Sequence, residues 1–175
     1  MEKRALVISP IAPYVVKPAH MAEPDDEGWY GQIVEILEEA EDGFYRIRTP
    51  YRYETYVHAT HLCLDEAEAE RWEKADLRRV WAAWADVQVE SGATHPHHIS
   101  LCRGAVVEFV APPEKPQGWA KVRLIGGAEG FVREGFLGPY YENEPSAGEE
   151  ELRNSVVEAA KLYMGVQYLS LIHIS

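Results

Sequence analysis

The groups in this sequence able to do chemistry are two cysteines, seven histidines and an excess of carboxylates. A nucleophilic thiolate is activated at a helix N-terminus or beside a base. Cys63 precedes Leu64, and Cys102 precedes Arg103 on an expected strand edge, so neither has that setting. Both read as small buried hydrophobes, and their unrelated contexts give no disulfide framework or zinc knuckle. His95-Pro96-His97-His98 offers imidazoles to zinc, but a zinc site needs three or four convergent ligands. The other candidates, His58 and His61, fall in the other half of the chain. The histidine run is therefore read as a solvated loop, and neither a metal nor a cofactor is expected. Trp72, Trp81 and Trp84 could form an aromatic platform, yet covering a junction between elements is the commoner use of Trp.

Charge narrows the partners. Acidic residues outnumber basic ones 29 to 17, giving a net charge of -12, and no basic block appears. Phosphate backbones are held by clustered Lys and Arg, so no nucleic-acid partner is expected. An anionic membrane or wall polymer would be repelled, whereas a small zwitterionic or amine-bearing ligand is compatible. The N-terminus, Met1 to Val7, lacks the apolar core of a signal peptide. No stretch approaches the roughly 20 apolar residues of a membrane span. A cytoplasmic location and no membrane partner are the expectation.

The elements that must position these groups come from an internal repeat. Gly31-Gln32-Ile33-Val34-Glu35-Ile36-Leu37 aligns with Gly104-Ala105-Val106-Val107-Glu108-Phe109-Val110. Gly43-Phe44-Tyr45-Arg46-Ile47-Arg48 aligns with Gly118-Trp119-Ala120-Lys121-Val122-Arg123, and Glu54-Thr55-Tyr56-Val57 with Glu129-Gly130-Phe131-Val132. Gly43 to Leu62 and Gly118 to Leu137 are both separated by 19 positions. Short alternating strands with turn signals between them predict a small β-barrel for each copy. A barrel of about sixty residues buries barely enough surface to fold alone, so the copies are expected to pack together.

Between the copies, Asp65 to Leu77 has acids first, bases later and no Gly or Pro, which predicts a helix. Arg78 to Val89 reads as the opening strand of the second copy. After Tyr140-Tyr141 comes an acidic linker, Glu142 to Pro145. Ser146 and Glu149 then form a capping box, and Leu152, Val156, Ala159, Ala160 and Tyr163 share a helical face. Glu149-Glu150-Glu151 suits a helix start, and Gly165 is a stop. The last residues, Ser170 to Ser175, resemble translated adapter sequence and are read as a non-native tail, with the native sequence expected to stop near Leu169.

Two such units followed by Ala160-Lys161-Leu162-Tyr163-Met164-Gly165-Val166-Gln167-Tyr168-Leu169 resemble the front of the NlpC-type cysteine peptidases. Trp84-Ala85-Asp86-Val87 and Leu101-Cys102-Arg103-Gly104 look like the same group. These are papain-like γ-D-glutamyl-L-diamino-acid endopeptidases that cut murein stem peptides. The resemblance spans Ala5 to Leu169. It implies a mainly β fold of two bacterial SH3-like β-barrels joined by a helix, followed by a C-terminal helix from an incomplete α+β catalytic domain. The corresponding divisions are 1–64, 65–77, 78–141, 142–169 and the tail 170–175. In the family the helix continues into Trp-Gly-Gly and then the Asp-Cys-Ser-Gly of the nucleophile. Ser170 stands where Trp-Gly-Gly should begin, so no catalytic residue is assigned and the chain as given is read as inactive.

The resemblance further implies that the first barrel recognises the free amine of a murein stem peptide's N-terminal L-Ala. The matching substrate-binding residues are Glu23 and Tyr53. Glu23 is followed by Pro24-Asp25-Asp26, where the family has apolar residues. The expected function is thus substrate recognition and targeting for a peptidase of cell-wall peptide turnover, with the missing catalytic domain as partner. The alternative is a stand-alone, non-enzymatic tandem module that binds peptide or wall material. A proline-motif adaptor using Tyr51 and Tyr53 near Asp25-Asp26 fits the tandem order poorly.

Overall fold

The computed structural model describes residues 3–92, 96–114, 118–140 and 148–166. His95, Tyr141, the linker 142–145, Ser146, the stretch 167–169 and the tail 170–175 lie outside the described residues. The molecule is mainly β: the described residues form two seven-stranded antiparallel sheets and two α-helices.

The first sheet holds β1 (Lys3–Val7), β2 (Ile11–Val15), β3 (Pro24–Trp29), β4 (Ile33–Glu39), β5 (Phe44–Arg48), β6 (Glu54–His58) and β7 (Leu62–Cys63). The second holds β8 (Leu77–Val80), β9 (Trp84–Gln88), β10 (His97–Cys102), β11 (Val106–Ala111), β12 (Trp119–Arg123), β13 (Glu129–Arg133) and β14 (Leu137–Pro139). Their strand orders, β3-β2-β6-β5-β4-β1-β7 and β10-β9-β13-β12-β11-β8-β14, are the same order shifted by seven. The repeat therefore extends to register. Phe44 faces His58 across β5–β6 as Trp119 faces Arg133 across β12–β13. Bulges fall at Ile36/Glu38 and at Phe109/Ala111, matched positions of the two copies.

Gly31 and Gly104 open β4 and β11 with φ of 81° and 97°. Only glycine reaches that region without cost. At Gly31 a Cβ would also sit 2.6 Å from the Val106 carbonyl oxygen, so the first copy cannot carry a side chain where it meets the second.

Helix α1 (Glu66–Glu73) is shorter than the 65–77 expected. Asp65 is its N-cap, accepting from the amides of Ala67 and Glu68. The helix stops because Leu77 to Val80 pair with β11 and β14. The single strand expected over 78–89 is also corrected: β8 and β9 are separate, and between them the Trp81 amide donates to the Phe136 carbonyl at 2.8 Å. Helix α2 (Glu149–Lys161) begins at Gly148 with no side-chain cap, which replaces the expected Ser146 capping box. Tyr163, expected on its face, lies beyond its end. No helix among the described residues is long and apolar enough to cross a membrane.

The cores are unequal. One cluster, around Tyr14, Val34, Ile47 and Val57, belongs to the first sheet. The other joins Leu6 of β1 and Tyr30 of the β3–β4 turn to Trp72 of α1 and to Leu101, Val107 and Val122 of the second sheet. Trp72 is fully buried and its indole N–H donates to the Gly31 carbonyl at 3.1 Å. Val106 N–H donates to the Tyr30 carbonyl at 2.8 Å, and the Tyr30 hydroxyl accepts from Ile125 N–H at 2.7 Å. Polar contacts close the rim: Arg71 binds both Glu68 and Glu108, and Glu108 also receives Arg123.

Candidate functional site

Tyr53 lies in the turn between β5 and β6. Thr49, almost fully buried, pins this turn: its hydroxyl accepts from Tyr53 N–H at 3.0 Å, and its own amide donates to the Tyr53 carbonyl at 2.9 Å. Arg52 takes a positive φ of 67° to complete the reversal. The result presents Tyr51 and Tyr53 with exposures of 54% and 44%, enough for a ligand to reach both rings.

Opposite them is the start of β3. A bulge between Tyr14 and Val15 of β2 leaves Asp25 outside the regular pairing, and such bulges re-aim side chains. Asp25 and Asp26 consequently meet the two phenols. The Tyr53 hydroxyl donates to Asp25 Oδ1 at 2.7 Å, and the Tyr51 hydroxyl donates to Asp26 Oδ2. The bond to Asp25 raises the Tyr53 pKa above its ordinary value, and burial, then Asp26, raises that of Tyr51. Both phenols therefore stay protonated at neutral pH, as donors. Each carboxylate keeps lone pairs beyond the one its tyrosine uses. Two carboxylates beside two π-faces is an arrangement that accepts an ammonium group.

Of the two residues expected here, Tyr53 is part of this cluster. Glu23 is exposed at the end of the preceding loop, where its backbone carbonyl accepts from Val16 N–H at 3.2 Å. No contact joins Glu23 to Tyr53 among the described residues. Asp25 is the partner the sequence reading did not select, although Pro24-Asp25-Asp26 had marked the departure from the family pattern.

The remaining candidates separate. Cys102 is half-buried, its thiol donates to the Pro10 carbonyl at 3.6 Å, and burial pushes its pKa up, the opposite of an activated nucleophile. His97 and His98 are exposed on β10, and no group of three or more His, Cys, Asp or Glu that could hold a metal occurs among the described residues. His58 instead packs edge-on to Phe44, with its Nδ1 2.8 Å from the Thr60 hydroxyl. The tryptophans divide: Trp72 is core, whereas Trp81 and Trp84 are exposed, so the expected packing role is corrected for those two.

No family model matches the chain. A curated protein named dipeptidyl-peptidase 6, from Lysinibacillus sphaericus, is 30% identical over 165 residues, 94% of this chain and 60% of the relative. The chain thus spans about three fifths of the length of that relative. Among solved structures, an NlpC/P60 family protein from Bacillus cereus superposes with a TM-score of 0.70 at 11% identity, over 95% of this chain and 65% of that one. An NlpC/P60 endopeptidase from Photobacterium damselae subsp. piscicida gives a TM-score of 0.50 at 12% identity, over 79% and 34%. The two-sheet fold of this chain is accordingly one that occurs in proteins of the NlpC/P60 family.

Proposed function

We propose that this chain is the substrate-recognition region of a murein-peptide cysteine endopeptidase of the NlpC/P60 kind. Each sheet is a bacterial SH3-like barrel in this reading, and α2 is the first helix of a catalytic domain that supplies the nucleophile. The carrying observation is the cluster of two phenol–carboxylate pairs at Tyr53–Asp25 and Tyr51–Asp26. It holds the free amine of a stem peptide's N-terminal L-Ala, so that acetylated or longer substrates are excluded while the γ-D-Glu–diamino-acid amide bond is cut. A free amine marks a peptide already released from the wall, which suits recycling in the cytoplasm. The name of the Lysinibacillus relative, a dipeptidyl-peptidase, supports a peptide substrate. Glu23, exposed just before β3, serves as an outer carboxylate of the same site.

Calorimetry of this chain with L-Ala-γ-D-Glu-diaminopimelate tests the reading. Asp25→Asn and Tyr53→Phe should each weaken binding about tenfold, the size of one charge-assisted hydrogen bond. Glu23→Gln should weaken it less. Equal binding of the N-acetylated tripeptide would remove the amine-recognition role.

A further inference from the structure

The second copy carries a hollow of 520 Å³, lined among others by Ser91, Pro112, Glu114, Trp119, Lys121 and Phe131. The first copy shows what the matching place holds. Phe44, which opens β5, is only 4% exposed, and two imidazoles lie edge-on against its ring. His58 comes from the facing strand, with ring centroids 5.1 Å apart, and His20 from the β2–β3 connection, at 5.3 Å. In the second copy Trp119 stands for Phe44, and Arg133 stands for His58, its guanidinium 4.5 Å from the Trp119 ring centroid. The connections that supply the third member, residues 16–23 and 89–96, are both eight residues long. Counted along the sequence, Ala93 corresponds to His20, and alanine has no ring to contribute. Trp119 is accordingly only half-buried, and the hollow opens beside it.

We infer that this hollow binds a small amine built on a flat ring about the size of an imidazole. Trp119 and Phe131 supply π surface, and Ala111 and Pro112 supply apolar wall. The ligand ring packs against them as the His20 ring packs against Phe44. Lys121 is already held by Glu129 at 2.6 Å. Glu114, by contrast, is exposed and makes no ion pair among the described residues, so its carboxylate receives the ammonium group. The net charge of -12 attracts a cation and repels an anion. A volume of this size suits a small molecule. The site shares no residue with the Tyr53–Asp25 cluster and does not rest on it.

Titration with histamine, N-acetylhistamine and ethylamine, followed by the indole N–H signals in NMR spectra, tests the assignment. Trp119→Phe, which keeps a ring, identifies the Trp119 signal. Histamine should shift that signal saturably. N-acetylhistamine, which keeps the ring and loses the charge, should bind about threefold more weakly, the size of an exposed ion pair. Ethylamine, which keeps the charge and loses the ring, should not saturate. Glu114→Gln should weaken histamine binding about threefold, whereas Asp25→Asn should leave it unchanged and so separate this hollow from the amine site of the first copy. Absence of saturation, a shift confined to other indoles, equal binding of histamine and either analogue, or loss of the Trp119 shift in Asp25→Asn overturns the inference. Full affinity in a Glu114→Gln variant that melts like the parent overturns it too, and the N-acetyl comparison tests the charge in the unmodified chain.

Discussion

Replacing Trp72 by alanine would remove a fully buried ring and at the same time free the Gly31 carbonyl that its indole satisfies. Large-to-small changes of buried aromatics cost about 3–5 kcal/mol, and Trp72→Ala should lower the urea midpoint by a corresponding amount. Trp72→Phe, which keeps most of the volume but orphans the carbonyl, should fall between alanine and the parent. The sequence already placed Trp72 beside Trp81 and Trp84 as one group, and nothing in their types or spacing separates them. What separates them is α1, which turns Trp72 inward between the sheets, and the break after β8, which leaves Trp81 and Trp84 outward. Tyr53 was legible through family resemblance. Its partner Asp25 was not, because it lies 28 positions away and reaches the phenol through a bulge in another strand pair.

Strands were more readable than their ends. Alternation in Phe44–Arg48 and Trp119–Arg123 located β5 and β12, whereas Leu62 and Leu137, matched in the sequence only by their spacing, turn out to open β7 and β14. The residues from Lys74 to Asp76 contain no helix breaker, so nothing local signalled that α1 stops at Glu73. The pairing of Leu77 with Glu108 decides it. The break at Trp81–Ala83 likewise has no Gly or Pro; a backbone bond to Phe136, far along the chain, makes the turn. At the other end of α1, Asp65 caps two amides. Asp65→Ala should cost about 1 kcal/mol, the usual value of an N-cap, seen as a lower melting temperature with unchanged β-sheet circular dichroism.

Acid should loosen the molecule at its seam. The Glu68 carboxyl is held below its ordinary value of 4.5, first by the Arg71 guanidinium and then by the Gly126 amide and Arg123. A carboxylate depressed in the folded state adds stability that is complete above its unfolded pKa and is lost as pH falls through the folded one. The window therefore opens below about pH 4.5 and closes at more acidic pH. Neutralising other acids relieves self-repulsion and acts the opposite way, so the comparison must be internal: Glu68→Gln should lose less stability than the parent between pH 6 and 3.5 in denaturant titrations. A parallel loss in both would assign the acid response elsewhere.

The unequal division of the core also bears on how such a repeat can be inherited. One cluster belongs to the first copy, but Leu6 and Tyr30 of that copy help to build the cluster of the second. A recombination that carried off residues 77–140 alone would leave behind Trp72 and the lid it forms with Tyr30, and would open the second sheet's interior to water. The first copy could travel with less damage. Descendants of this arrangement should accordingly inherit the pair whole and in this order, and where one copy is found by itself it should be descended from the first.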